Sequence, residues 1–493
     1  MKKQEAIPNP SSLMESMREI GYSTESAIAD LIDNSITAKS NNIDIRFSWN
    51  EGSPWLSVID DGIGMDINEL IIAMRIGSIS PLDPREPDDL GRFGLGLKTA
   101  SLSQSRRFTV VSKKNDKYSI AQWDLDSDDI SKKNKWSINI FHVKELKSTL
   151  TELNDKYLKK QKSGTIVFWD NIDRFDVGEV ENKKELKFGT VLNNVRSHLE
   201  LVFHRYIAPT VGKRKIVIKY NESLLEAFDP FFIQKSKELN SEDINYAGSK
   251  ISVQPYVLPH HSKVSKSEYK KYEGRRGYLN EQGFYIYRNR RLIIYANWFR
   301  LIPKKEMSKL LRVKIDIPNT LDHLWKINVK KSNAIPPTFV REKLGNIISK
   351  IEIAGVRVYK HKGQRLISNI KNPAWERVAK ANKIYYKINM DHPLIKTHLK
   401  DLSEKQKLVI IDLFSVLENS FPQDMYFNDV ASEPENINPL ELTMKDLEDL
   451  LLKYYIKEKK PSKQRLRDIL LTDPFAKNIE ITKTIYKKHK YEF

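Results

Sequence analysis

The 493-residue chain is predicted to be an α+β protein in three stretches. Residues 12–213 mix segments of helical and strand period. From about residue 214 strand patterns dominate. After about residue 352 the pattern is mostly helical. This length exceeds one compact core, so the expected domains are 1–213, 214–351 and 352–493.

The elements follow in order. Alanine and isoleucine recur every three or four residues in "ESAIADLIDNSITA", as on a helix. "NIDIRFSW" and "WLSVID" read as strands, and "INELIIAMRIG" as a helix. "SISPLDPREPDDLGRFGLG", rich in Pro, Asp and Gly, reads as a loop before a helix at "LKTASLSQ". "RFTVVSKK", "YSIAQWDL", "WSINIFHV" and "SGTIVFWDNI" are strand patterns, and "GTVLNNVRSHLELVFHRYI" a long helix. In the second stretch "KIVIKY", "SVQPYVLP", "GFYIYRNRRLI" and "VKIDIP" read as strands before a helix at 340–351. The third stretch holds the helical patterns "LSEKQKLVIIDLFSVLENSF" and "LTMKDLEDLLLKYYI" around a polar linker.

Composition excludes several chemistries. With no cysteine there is no disulfide, thiolate metal site or cysteine nucleophile, which suits a reducing cytosol. The segment "MKKQEAIPNPSS" has no apolar core of a signal peptide, and no run nears the roughly 18 apolar residues of a membrane span. A cytoplasmic, membrane-free protein is expected. The net charge is +19, and residues 201–350 carry 29 basic against 13 acidic side chains. A basic middle stretch fits double-stranded DNA or another polyanion as partner; solvated lysine fits the same composition. Residues 401–450, with 3 basic and 12 acidic side chains, break the charge of the helical tail, a candidate surface for a protein partner.

Three strings carry candidate chemistry. In "AIADLIDNSITA", Asp30 and Asn34 lie four apart on one helix face. A carboxylate there can take a proton from water, and an amide oxygen can serve Mg²⁺. In "DDGIGM", Gly62 and Gly64 let backbone approach a planar or phosphate group, and Asp60 can accept from an exocyclic amine. In "GRFGLGLKTAS", the glycines Gly91, Gly94 and Gly96 open a helix whose amides suit phosphates, with Lys98 adding a charge. That string lacks the G-K-[ST] order of a Walker loop and has no preceding strand for a dinucleotide fingerprint. His260 and His261 have no acidic or histidine partner at ligand spacing and read as loop.

In this order and spacing the three strings resemble the Bergerat nucleotide-binding fold of the GHKL superfamily. That superfamily comprises gyrase B subunits, ninety-kilodalton heat-shock chaperones, sensor histidine kinases and MutL. The closest likeness is to the MORC branch, over about residues 12–170. The resemblance implies a two-layer α/β sandwich, then an S5-like α+β transducer domain. It implies ATP and Mg²⁺ as cofactors. Asn34 matches the Mg²⁺-binding asparagine, Asp60 the adenine-reading carboxylate, and Gly62, Gly64 and Met65 the adenine pocket. Gly91, Arg92, Phe93, Gly94, Leu95, Gly96, Leu97 and Lys98 match the phosphate loop and lid. Thr165 matches a late-strand threonine near adenine. Asp30 matches the general base, where relatives usually carry glutamate. Asp33, beside it, matches an acidic residue expected to support the pocket from behind.

In "LWKINVKKSNAIPP", Lys331, with Lys330 beside it, stands where such ATPases carry a γ-phosphate lysine. Arg288, Arg290 and Arg291, interleaved with tyrosines, suit a nucleic-acid backbone; a sheet with solvated arginines suits the same string. The function expected is an ATP-hydrolysing, ATP-dependent dimeric clamp, with DNA as partner and, by resemblance, a defence setting. An ATP-sensing scaffold that hydrolyses slowly is the alternative, because aspartate at residue 30 is one methylene short. A histidine kinase lacks its acceptor helix here, and a chaperone its acidic linker and client domains.

Overall fold

A computed structural model describes residues 3, 6–19, 21–78, 96–174, 183–322, 324–325, 336–360, 372–380, 383–422, 425–426, 442–459 and 461–489. The chain divides into two compact units, one of residues 1–304 with 309–351 and one of 305–308 with 352–493.

The first unit opens with helix α1, Pro10–Arg18, and helix α2, Thr24–Thr37, started by the Ser23 hydroxyl accepting from Ser26 N. Strands β1, Asn42–Ser48, and β2, Trp55–Asp60, pair antiparallel. Helix α3, Ile67–Met74, is started by a capping box between Asp66 and Glu69. Helix α4, Gly96–Gln104, runs into strand β3, Ser105–Lys114, followed by β4, Lys117–Asp124, β5, Asn139–Ile140, and β6, Gly164–Ile172. The string "WSINIFHV" keeps only the two strand residues of β5. It lies at the sheet edge, where Ile140 is half exposed and little apolar surface is covered.

The helix Lys184–Val202 is followed by β7, Val217–Tyr220, and β8, Ser223–Leu224. Their place corrects the boundary expected at 213/214. Strand β7 pairs in parallel with β1, so the first sheet has eight strands in the order β5-β4-β3-β6-β2-β1-β7-β8. Its pattern "KIVIKY" is strand-like in either sheet, and periodicity carries no information about which partner wins.

Alternation along the central strands divides the sheet into two faces. Leu56, Val58, Phe108, Val110, Val167 and Trp169 share one core with Ile28 and Ile32 of α2, Leu102 of α4 and Val195 and Leu199 of the long helix. Ile59, Val111, Ile166 and Phe168 form a core on the other face with Leu150 and Leu153 of the helix Ser148–Lys156.

A second sheet comprises β9, Lys237–Glu238, β10, Glu242–Tyr246, β11, Ser249–Val257, β12, Gly283–Arg288, β13, Arg291–Asn297, and β14, Leu311–Ile317. The order is β10-β11-β14-β12-β13, with β9 on β11. Tyr285, Tyr287 and Leu292 join the core of the first sheet, so the two sheets share buried apolar surface.

The second unit contains a hairpin of β15, Trp375–Lys380, and β16, Lys383–Ile388, which the helical expectation for this stretch did not include. Leu447, Leu451, Leu466, Ile469, Phe475, Ile485 and Tyr486 form its core. On helix Glu404–Asn419, Leu408, Leu413 and Val416 are exposed. No helix among the described residues is long and apolar enough to cross a membrane.

One side chain gathers several donors of the turn from α2 into β1. Asp61 Oδ1 accepts from Ser40 Oγ at 2.6 Å, Asn41 N at 2.7 Å and Asn42 N at 2.9 Å, and Oδ2 accepts from Asn42 Nδ2 at 2.7 Å. Burial raises its pKa, but these donors outweigh burial and hold it below the usual value. A depressed folded pKa stabilises above the unfolded pKa, and that stability is lost as pH falls through the folded value. Asp61→Ala is therefore expected to lower stability by about 2 kcal/mol at pH 7. The gap should narrow below about pH 4, read as denaturant midpoints at both pH values.

Candidate active site

The site is built where the helix-facing side of the first sheet turns polar. Asp60 ends β2, Thr165 lies opposite it on β6, and Ser112 lies opposite Thr165 on β3. Cross-strand partners share a face, so these three side chains form one row. Asp60, 6% exposed, accepts from Ser35 Oγ of α2 at 2.8 Å and from Gly62 N at 2.9 Å. Ser112 Oγ lies 3.0 Å from Thr165 Oγ1 and accepts from Met65 N at 2.8 Å. Ser35 and Ser112 were not picked out from sequence. A serine one residue after Asn34 was the available signal, but only the sheet register brings Ser112 to the row.

Burial pushes the Asp60 carboxyl up to about 6, against the hydrogen bonds from Gly62, Ser35 and Thr165 that favour the carboxylate. A buried carboxylate held this far from its ordinary range is a candidate for a binding role.

The two glycines of "DDGIGM" answer first to their own protein. A Cβ on Gly62 would sit 2.8 Å from Ala38 Cβ and 2.9 Å from Asp60 Oδ1. Gly64 has φ +68°, and its Cβ would fall 1.9 Å from Lys113 O. Both are required for the loop after β2 to pass close to the end of α2 and to β3, whatever ligand lies above.

Helix α2 presents Asp30 and Asn34 one turn apart. Asn34 is exposed, with no side-chain hydrogen bond to another described residue. Asp30 is only 5% exposed, and Tyr22 Oη donates to its Oδ2 at 3.0 Å. Thr99 of α4 hydrogen-bonds the same hydroxyl. Burial, then the charge of Asp30, raises the Tyr22 pKa far above its ordinary value, so the phenol stays a donor. Asp33 is 1% exposed and pairs with Arg291, whose Nε donates to Oδ1 at 3.0 Å.

Lys98 does not match its expected role as a charge held toward phosphates. It is 2% exposed, and Nζ donates to Ala73 O and Arg75 O, each at 3.0 Å, at the C-terminal end of α3. Desolvation lowers its pKa to about 8. Cations favour that end of a helix. Gly96 opens α4 with nothing near the position of a Cβ, and Leu97 packs on the core. Gly91, Arg92, Phe93, Gly94, Leu95, Lys330 and Lys331 lie outside the described residues.

Two of the three hairpin arginines expected to meet nucleic acid are turned inward. Arg288, 6% exposed, donates Nε to both carboxylate oxygens of Asp322, at 2.9 and 2.7 Å. Arg291 is taken by Asp33, and Arg290 stacks on Tyr206 with its carbon 4.3 Å from the ring centre. A buried tyrosine-rich strand accepts arginine stems as readily as solvent does, so the pattern did not tell the two apart.

Among the described residues no group of three or more His, Asp and Glu side chains is set to hold a metal ion. His260 and His261 stack on each other with ring centres 4.0 Å apart. The Asn34 amide is one neutral oxygen donor. That fits Mg²⁺ arriving with phosphates and keeping waters, rather than a resident ion.

Comparison with known proteins agrees with this geometry. Residues 22–165 match the family model described as histidine kinase-, DNA gyrase B- and HSP90-like ATPase. Residues 22–165 are thus similar to the ATPase domain of the GHKL superfamily. Within that superfamily the chain is MORC-like. It is 36% identical to mouse ATPase MORC2B over 91 residues, 18% of this chain and 9% of that protein. It is 33% identical to human ATPase MORC2 over 93 residues, again 18% and 9%. It is also 30% identical to human structural maintenance of chromosomes flexible hinge domain-containing protein 1 over 134 residues, 22% of this chain and 7% of that protein. The matched part is thus less than a tenth of the length of these curated relatives.

The raised Asp60 pKa has a stability consequence. A raised folded pKa contributes stability that is present below the unfolded value and lost as pH rises through about 6. Asp60→Asn removes that burden. It should raise stability by up to about 3 kcal/mol at pH 8 and change little at pH 4, measured by denaturant unfolding at both. A variant less stable than wild type at pH 8 would refute the burial argument.

Proposed function

We propose that residues 22–165 bind Mg·ATP and hydrolyse it, and that the chain acts as an ATP-gated dimeric clamp on DNA. The observation that carries this reading is that α2 alone contributes Asp30, Asn34 and the serine that anchors Asp60. Asp60 accepts from the adenine amino group, with Thr165 and Met65 beside the base. Asn34 offers its amide oxygen to the metal ion. Mg²⁺, when bound, neutralises phosphate charge and orients the γ-phosphoryl group. Asp30 takes the proton of a water whose oxygen bonds to the γ-phosphorus, while the bond to the β,γ-bridging oxygen breaks and ADP leaves. The Tyr22 hydroxyl holds Oδ2 and so the direction of the carboxylate. Lys331 is the lysine we assign to the γ-phosphate, with Lys330 its neighbour.

The slow ATP-sensing scaffold has one observation in its favour. The Asp30 carboxylate is shorter than glutamate, nearly buried and already hydrogen-bonded by Tyr22. ATP turnover with and without double-stranded DNA separates the two for wild type, Asp30→Ala and Asn34→Ala. The clamp expects turnover that DNA stimulates and Asp30→Ala lowers about 100-fold or more. Nucleotide binding without turnover, indifferent to DNA, supports the scaffold. No binding by wild type overturns both. ATP affinity should also fall as pH drops through about 6, because a protonated Asp60 offers a donor to the amino group. Isothermal titration at pH 5 and 7.5 measures it.

For DNA, the support moves from the hairpin to exposed cations. Lys263, Lys266, Lys270, Lys271 and Arg275, on and around the helix Lys266–Glu273, are all exposed. Lys270, Lys271 and Arg275 changed together to Ala should flatten the salt dependence of DNA binding, by roughly one in slope per lost phosphate contact. An unchanged slope removes this surface from the reading.

A further inference from the structure

The two sheets meet along α2, and the turn between β12 and β13 grips this helix at two places. Asp33 is buried in mid-helix, and its guanidinium partner comes from Arg291, 258 positions later in the chain. Both side chains are almost wholly covered, at 2% exposure for Asp33 and 7% for Arg291. The Arg291 carbon lies 4.4 Å from the ring centre of Phe203, which backs it on the far side. One residue earlier, Arg290 donates to Arg214 O at 3.2 Å. Arg214 in turn donates to Ser40 O at 2.5 Å and Ile36 O at 3.4 Å, carbonyls at the C-terminal end of α2. The hairpin turn is itself tied down by Tyr206, whose hydroxyl donates to Asn289 O.

This grip bears on Asp30 and Asn34. Asp33 directly precedes Asn34 and follows Asp30 by three residues, so a fixed Asp33 side chain fixes the rotation of α2 about its axis. Rotation of a helix carries every side chain on it through the same angle. Arg291 and Asp30 also line one cavity of about 520 Å³, together with Ser26, His198 and Tyr295. Ile28 and Ile32 pack α2 on the first sheet, and the ion pair adds a polar restraint on the side of this cavity.

We infer that Arg291 is a positioning residue for the ATP chemistry, acting through Asp33 on the orientation of Asp30 and Asn34. By the same pair the second sheet moves with the nucleotide helix. This rests on the reading that α2 presents Asp30 and Asn34 to ATP. A misplacement of about 1 Å in such groups costs up to about 100-fold in rate, while Asp60 keeps the hydrogen bond from Gly62 N, which lies outside α2.

The test is nucleotide affinity and steady-state turnover for wild type, Arg291→Gln, Arg291→Lys, Asp33→Asn and the double variant Asp33→Asn/Arg291→Gln. Expected are a kcat loss of about tenfold or more in Arg291→Gln with ATP affinity within about threefold, and partial recovery in Arg291→Lys. The double variant should recover thermal stability, since it leaves no unpaired buried charge, but not kcat. If Arg291→Gln does not fold, the neutral double variant decides. Wild-type kcat in either folded variant overturns the inference, as does a loss of kcat and affinity together that follows thermal stability. A wild type that binds no nucleotide overturns the functional reading itself, a result distinct from turnover that Arg291 does not affect.

Discussion

A carboxylate placed under protein costs several kcal/mol unless donors meet it, and three of them are buried around α2. Asp30 is met by Tyr22, Asp33 by Arg291 and Asp60 by Ser35 and Gly62. Each solution pins a different part of the molecule. Tyr22 links the start of α2 to α4 through Thr99. Arg291 ties α2 to the second sheet. Ser35 ties α2 to the end of β2. The position of α2 is therefore set by polar pairing as well as by the apolar core beneath it. The stability and the site share the same side chains.

The glycines of "DDGIGM" show how a ligand motif and a folding requirement coincide. Gly62 and Gly64 leave no room for a Cβ because Ala38, Asp60 and the Lys113 carbonyl are already there. The close approach of backbone that a flat base would need is the one the protein's own packing already requires after β2. Asp61 closes that approach by accepting from the α2–β1 turn.

Charged residues in the basic middle stretch fall into two kinds that composition merges. Arg288 and Arg291 are structural, each facing an aspartate across a long span of chain. The lysines of the helix Lys266–Glu273 are solvent-facing. Lys98 makes the same point in the ATPase domain. Its helix and spacing suited a phosphate contact, yet its ammonium satisfies the carbonyls at the end of α3. A long flexible side chain bonds to whatever acceptor tertiary packing brings nearest.

The sequence by itself determined the α+β class, strands β1, β2, β3, β4 and β6, helices α2, α3 and α4, and the placing of Asp30 and Asn34 on one helix face. Those depend on periodicity and on spacing within one helix, both local. It also singled out Asp60, through the two glycines after it together with the strings on either side. Only the tertiary structure decided that Val217–Tyr220 joins the first sheet and that β15 and β16 interrupt the helical tail. It alone decided that Ser112 stands beside Thr165 and that Arg291 belongs to Asp33. Each of these is a choice of partner across a long stretch of chain. Strand period, charge and propensity are the same for every candidate partner, and burial of the shared core selects among them.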